Sequence, residues 1–213
     1  MSKAKMAYVL YSGGLDSTSL LNMVKGMDYE EVVAVIIDYG QKHKKEIECA
    51  RAYCRYKGIP WMDVGIPYGV MGADEHFKNV EHKAYKDIEG TPSTWIPNRN
   101  NLFVNILACI ALRKKEHADI YIGTHKGDNM YPDTTIDWLN SLRVNLLIAT
   151  GSLIHLYAPF WDCTKEELLR RGGLTREEVD MTYSCYEGGD EHCHECATCR
   201  ERDDAIKNVF GEQ

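Results

Sequence analysis

The sequence predicts an α/β fold, a parallel five-stranded sheet flanked by helices, followed by a small helical lobe at the C-terminus. Three observations carry this. Apolar runs alternate with amphipathic stretches through residue 160, the pattern of βαβ units. The first run ends directly in a Gly-Gly turn that opens a helix. Beyond residue 160 the alternation stops, and capped short helices and clustered cysteines take its place.

The elements follow in order. Residues 7–11 are apolar throughout, as a strand buried on both faces requires. A helix is expected over 16–27, a second strand over 32–37 ending at Asp38, a helix over 44–57 and a third strand over 61–65. The segment 66–95 is rich in Gly, Pro and charge and reads as a long loop with a helical piece. An apolar helix is expected over 101–117, a fourth strand over 120–123, a helix over 137–150 and a fifth strand over 154–158. Thr164 with Glu167, and Thr175 with Glu178, match the capping box and announce two short helices. A last helix is expected over 200–210. The division is an α/β core over 1–160 and a helical lobe over 161–213.

Composition narrows the function. The chain has 213 residues, is 44% hydrophobic and 27% charged, and carries a net charge of −7. That balance suits a globular protein and argues against nucleic acid as the main partner, because phosphate neutralisation needs clustered Lys and Arg. No stretch approaches the ~20 apolar residues of a membrane span, and no secretory signal opens the chain. The cytoplasm is the expected compartment, which also suits cysteines kept as thiols.

Ser12-Gly13-Gly14-Leu15-Asp16-Ser17 lies between the first strand and the first helix. Glycines there let backbone N–H groups approach an anion, and the helix N-terminus adds free donors and its dipole. Ser12, Ser17 and Thr18 add hydroxyls, while Asp16 is placed to cap the helix and to help hold a Mg²⁺ that bridges phosphates. The string is neither a Walker loop nor a dinucleotide fingerprint. It resembles the pyrophosphate loop of N-type ATP pyrophosphatases, which cleave ATP between the α and β phosphates and leave an adenylylated substrate. That resemblance implies an adenine nucleotide alpha hydrolase-like, Rossmann-like core.

Cys185, Cys193, Cys196 and Cys199 have the spacing of a closed four-thiolate site, which suits one structural zinc. Gly188 and Gly189 supply the bend that returns the chain to the metal. A disulfide pair, an iron–sulfur cluster, or His192 or His194 in place of one thiolate are the alternatives.

Together these features resemble the 7-cyano-7-deazaguanine synthase family of the queuosine pathway over nearly the whole chain. The matching pieces are Tyr11 to Thr18, Asp38 to His43, Ile96 to Asn100, Tyr131 to Asp133, Thr164 and Lys165, Ser184 to Tyr186, and the cluster running to Cys199 and Arg202. The resemblance implies a ligase that converts 7-carboxy-7-deazaguanine, ammonia and ATP to the nitrile through adenylylated and amide intermediates. It implies binding of ATP along Tyr11, Ser12, Gly13, Gly14, Leu15, Asp16, Ser17, Thr18, Ser19 and Leu20, with Asp16, Ser17 and Lys165 in catalysis.

Asp38 then stands as a Mg²⁺ or ribose ligand or a plain loop carboxylate. Arg99 and Asn100 stand as phosphate or substrate contacts, with helix capping the other reading of Asn100. Asp133 and Tyr131 would read the deazaguanine, or Asp133 would only start the next helix. Lys165 would neutralise the leaving pyrophosphate or lie solvated, and His43 would carry a proton or sit on the surface. A homodimer is also implied. Two departures stand out: Thr134 and Thr135 follow Tyr-Pro-Asp where the family has Cys and Arg, and His194 follows Cys193 where Gly is usual.

Overall fold

The computed structural model describes residues 5–41, 44–67, 96–114, 117–185, 187 and 189–211. Most of the loop expected over 66–95 lies outside these residues, as do His43, Tyr186 and Gly188. The sheet holds β1 (Met6–Leu10), β2 (Glu31–Asp38), β3 (Trp61–Gly65), β4 (Ala118–Tyr121) and β5 (Ile154–Tyr157) in the order β3-β2-β1-β4-β5. Every pairing is parallel, with Val9 opposite Ala34 on one side and Tyr121 on the other. β1 is central, and the order reverses between β1 and β4. In open α/β sheets, ligands bind at that switch point, outside the carboxyl ends of the strands.

Alternation along β1 assigns its two faces. Ala7, Val9 and Tyr11 pack with Leu20, Leu21 and Val24 of α1 (Leu15–Lys25) and with Ile47, Ala50 and Tyr53 of α2 (Lys44–Lys57). Met6 and Tyr8 face Phe103, Val104 and Leu107 of α3 (Arg99–Ala111) and Leu139, Leu142 and Leu146 of α4 (Ile136–Ala149). With both faces covered, β1 and β2 need the continuous apolar runs that the sequence supplies, each large side chain contributing roughly 1.5–3 kcal/mol on burial.

Three C-terminal helices complete the first face: α5 (Lys165–Gly172), α6 (Arg176–Asp180) and α7 (Ala197–Phe210). Both capping boxes form as expected, with Thr164 Oγ1 accepting from Glu167 N at 3.3 Å and Thr175 Oγ1 from Glu178 N at 3.2 Å. α5 lies almost in contact with α1, since a Cβ added at Gly172 would stand 2.5 Å from Ser19 Cβ. Leu168, Leu169, Val179, Ala205 and Ile206 join the same buried cluster as Val9 and Leu20, so the core runs continuously across residue 160.

Several boundaries differ from the expected ones. β1 and β4 begin and end one or two residues earlier than expected, at Met6–Leu10 and Ala118–Tyr121. The helix expected over 101–117 starts at Arg99, ends at Ala111 and tightens into a 3₁₀ turn over Leu112–Lys114. The last helix starts at Ala197 because Cys196 is its N-cap, its sulfur accepting from Cys199 N at 3.4 Å. Asp16 does not cap α1: that position is Gly14. Among the described residues, no helix is long and apolar enough to cross a membrane.

Candidate functional site

The turn after β1 opens at the switch point. Gly13 has φ +89°, and a Cβ there would stand 2.3 Å from Glu46 O and 2.8 Å from Ala50 N. Only glycine lets the turn lie this close to the backbone of α2. The hydroxyls of Ser17 and Thr18 both donate to Gly14 O, at 3.2 and 2.8 Å. Ser17 Oγ also accepts from Ser12 N at 3.3 Å and lies 3.0 Å from Ser12 Oγ. Tyr11, Leu15, Ser19 and Leu20 are buried beneath the turn, where they hold its backbone in place.

Asp16 points back across the turn toward α5. Its Oδ2 lies 3.2 Å from Lys165 Nζ, which is itself 3.0 Å from Glu201 Oε2. Lys165 is only 8% exposed, so the solvated-lysine alternative is replaced by a buried bridge between two carboxylates. Burial alone would depress its ammonium, but Asp16 and Glu201 outweigh that and hold its pKa above the usual lysine value.

Buried His125 stands on the other side of Asp16, its Nε2 3.9 Å from Oδ2 and its Nδ1 3.0 Å from Asp128 Oδ2. Burial opposes its charge, yet Asp128 and Asp16 raise its pKa, and His125 in turn holds the Asp128 carboxyl low against the effect of burial. The second oxygen of Asp16, Oδ1, is buried with no hydrogen-bond partner among the described residues, a fit for a ligand that brings positive charge or donors.

His125, Asp128 and Glu201 escaped the sequence reading. His125 and Asp128 belong to no spaced motif, and Glu201 lies in the matching run from Cys199 to Arg202 with nothing in the sequence to mark its role.

The ends of β2 and α3 supply the opposite rim. Asp38 Oδ1 accepts from Gly40 N at 3.0 Å, and its Oδ2 lies 3.7 Å from Lys44 Nζ. Arg99 reaches Tyr39, with Nη1 3.5 Å from the hydroxyl and the guanidinium 6.0 Å from the ring centre. Glu46 sits nearby, its carboxyl raised to about 7 by burial, with Arg99 pulling the other way.

Asp133 does not start the next helix. Its Oδ2 accepts from Asn100 N at 3.1 Å and its carbonyl from Asn100 Nδ2 at 3.0 Å, so it caps α3 from outside, while Thr135 caps α4 through Trp138 N at 3.3 Å. Thr134, next to Asp133, donates to the carbonyls of Asp128 and Tyr131.

The cysteine cluster converges as the spacing requires. The four Sγ atoms of Cys185, Cys193, Cys196 and Cys199 lie within 4.8 Å of one another. A tetrahedral zinc at ~2.3 Å from each sulfur places sulfurs about 3.8 Å apart, and Cys193 Sγ and Cys199 Sγ are 3.8 Å apart. Backbone N–H groups of Glu195, Cys196 and Cys199 point at the sulfurs of Cys193 and Cys196, at 3.2–3.4 Å.

All eight cysteines are free, which removes the disulfide alternative. Neither histidine joins the set. His194 Nδ1 is 2.6 Å from Asp203 Oδ2, and His192 Nε2 accepts from Ser184 N at 3.4 Å.

A family model described as queuosine biosynthesis protein QueC matches residues 6–210. The 7-cyano-7-deazaguanine synthase of Caldicellulosiruptor bescii is 37% identical over 208 residues, covering 95% of this chain and 93% of the relative. That of Persephonella marina is 34% identical over 218 residues, covering 98% and 95%. Among solved structures, the U34-tRNA thiolase NcsA from Methanococcus maripaludis, determined with its 4Fe–4S cluster, superposes with a TM-score of 0.53. It is 18% identical, the match covering 98% of this chain and 69% of that one, and it shares the fold. On the full-length family match and these relatives, the chain belongs to the QueC family of queuosine biosynthesis proteins.

Proposed function

We propose that the chain is an ATP-dependent carbon–nitrogen ligase that converts 7-carboxy-7-deazaguanine and ammonia to 7-cyano-7-deazaguanine. The observation that carries this reading is the turn Ser12 to Ser17 at the switch point, with buried Lys165 bound to Asp16, in a chain whose relatives are named 7-cyano-7-deazaguanine synthases. A carboxylate is a poor acyl donor, so transfer of AMP to its oxygen supplies the leaving group. Ammonia then gives the amide, and a second transfer to the amide oxygen allows loss of AMP as the nitrile forms.

The chain's own work is positioning and charge. Ser12 and the free N–H groups of α1 hold phosphate oxygens, while Ser17 and buried Thr18 brace the turn through Gly14 O instead of contacting phosphate. Lys165 offsets charge on the departing pyrophosphate, and Asp16 orients that lysine. Mg²⁺, when bound with ATP, would screen the phosphates beside Asp16, with Asp38 a second carboxylate within the rim. Arg99 and Asn100 stand for phosphate or substrate contact, and Asp133 with Tyr131 for the deazaguanine edge. The four thiolates hold one structural zinc, a closed set that leaves no position for substrate.

Incubation with 7-carboxy-7-deazaguanine, ammonium and Mg-ATP tests the reading, with AMP and organic products followed by mass spectrometry. AMP together with the nitrile is expected, and failure to form AMP with the metal-loaded protein overturns it. One feature favours a second reading. Where the family has Cys and Arg, Thr134 and Thr135 are spent on backbone carbonyls and a helix cap. An enzyme lacking that arginine would stop at the amide or pass the acyl group to a macromolecular amine, and the same spectra would show amide and no nitrile.

A further inference from the structure

Residues 183–185 join the metal centre to the phosphate turn. Tyr183 N donates to Gly13 O at 3.0 Å, and Ser184 N donates to His192 Nε2 at 3.4 Å. The next residue, fully buried Cys185, supplies one of the four converging sulfurs. The side chain between these attachments, Ser184, has a buried Oγ with no hydrogen-bond partner among the described residues. Buried hydroxyls nearly always have a partner, so this one asks for an explanation.

Gly14 indicates what the partner is. A Cβ added to Gly14 would stand 3.4 Å from Ser12 Oγ, 3.6 Å from Tyr183 O and 3.8 Å from Ser184 Oγ. These are contact distances without overlap, so the backbone leaves a notch one atom wide, with a hydroxyl on either side. Gly14 is also the N-cap of α1, whose first N–H groups open toward anions. Ser12 Oγ accepts from Gly14 N at 3.3 Å and lies 3.0 Å from Ser17 Oγ, a contact a ligand in the notch would replace, whereas Ser184 Oγ has no partner among the described residues and can turn its proton into the notch. An oxygen that accepts from Ser184 Oγ and sits at a helix N-terminus is the oxygen of an anion.

We propose that Ser184 is a further phosphate ligand of the nucleotide site, its hydroxyl and that of Ser12 flanking one phosphate oxygen in the Gly14 notch. The inference rests on the nucleotide reading of the turn. It gives the metal centre a part in substrate binding. Through Cys185 it fixes the backbone that presents Ser184, while Gly13 fixes the same segment from the other side. Binding strength at the turn thus depends on metal loading, although no metal ligand touches the nucleotide.

The test is calorimetric titration of the metal-loaded full chain with α,β-methylene-ATP and Mg²⁺, with zinc content measured on the same samples. Ser184→Ala should retain the metal and bind the analogue about tenfold to a hundredfold more weakly, the loss of one hydrogen bond to a charged group. Ser184→Thr, which keeps the hydroxyl, should fall within a few-fold of the parent. Gly14→Ala is allowed by its backbone, φ −76° and ψ 166°, and its methyl should fill the notch and weaken binding at least as much.

Parent-like affinity in Ser184→Ala, or in Gly14→Ala with metal intact, overturns the proposal while leaving the nucleotide reading standing. Should Ser184→Ala shed its metal, Gly14→Ala carries the decision. A parent protein that does not bind the analogue overturns both.

Discussion

Lys165 Nζ lies 3.2 Å from Asp16 Oδ2, a contact between residues 149 positions apart that ties the first turn of α5 to the phosphate turn. The lysine is buried, whereas Asp16 and Glu201 keep 28% and 49% of their side chains exposed. The cation is thus held in place while its carboxylates can still exchange partners. On the proposed reading, in which Lys165 meets departing pyrophosphate, the cation gains from being placed beforehand in this way.

Lys165→Met keeps the stem volume and removes the charge. It should lower AMP formation by a hundredfold or more and cost about 1–3 kcal/mol of stability, less than a fully buried pair because both carboxylates reach water. AMP release and urea unfolding on one preparation check this. Unchanged AMP formation would remove Lys165 from the chemistry.

Gly172→Ala tests whether α5 is held by its approach to α1. The new Cβ would stand 2.5 Å from Ser19 Cβ, so α5 must move outward and carry Lys165 with it. Overpacking of this kind costs about 1–3 kcal/mol, and displacement of a positioned group by an ångström can cost up to a hundredfold in rate. Denaturation midpoints and AMP release should fall together. A variant that loses stability and keeps its rate would show that Lys165 is positioned by its ion pairs alone.

A residue announces its place in the sequence only where its partner is local. Strands buried on both faces read as apolar runs, capping boxes are pairs three residues apart, and the four cysteines declare themselves by spacing. Each of these lies within a few positions of its partner. The residues that complete the site do not. A lysine at a helix start reads as solvated until α1 closes over it, and His125 and Glu201 acquire meaning only from Asp16 and Lys165. Asp133, expected to read the substrate or to start the following helix, has its partner at the N-terminus of α3. The early end of α3 was hidden because the residues after Ala111 keep forming a helical turn of the tighter kind.

Glu46 should make stability depend on pH. Burial raises its carboxyl to about 7, whereas an unfolded chain releases that proton near 4.3. Between those values the folded chain holds the extra proton, so stability falls as pH rises through the window and stays lower above it. Glu46→Gln removes the effect. At pH 8 the variant should be more stable than the parent, by on the order of 3–4 kcal/mol at most, and near pH 4.5 the two should match. Urea melts at both pH values check this, and an equal gap at both would show that the carboxyl is not held protonated.

Metal removal should reach further than the cysteine cluster. Cys199 is fully buried in the first turn of α7, and Glu201 follows it on the same helix with Lys165 in reach. Thiolate zinc sites supply roughly 10–16 kcal/mol in isolated peptides, but here Ala205 and Ile206 also anchor α7 in the core. Cys199→Ser should therefore lose the metal and about 10 °C or more of melting temperature without unfolding the sheet, since 1 kcal/mol corresponds to about 2–4 °C in a chain of this size. Hydrogen exchange should accelerate at 183–201 and also at 12–17, where Tyr183 N and the Glu201–Lys165–Asp16 chain hold the turn, while β1 and β4 stay protected. Acceleration confined to 187–199 would mean that the metal centre and the phosphate turn are mechanically independent, since neither connection would then transmit its loss.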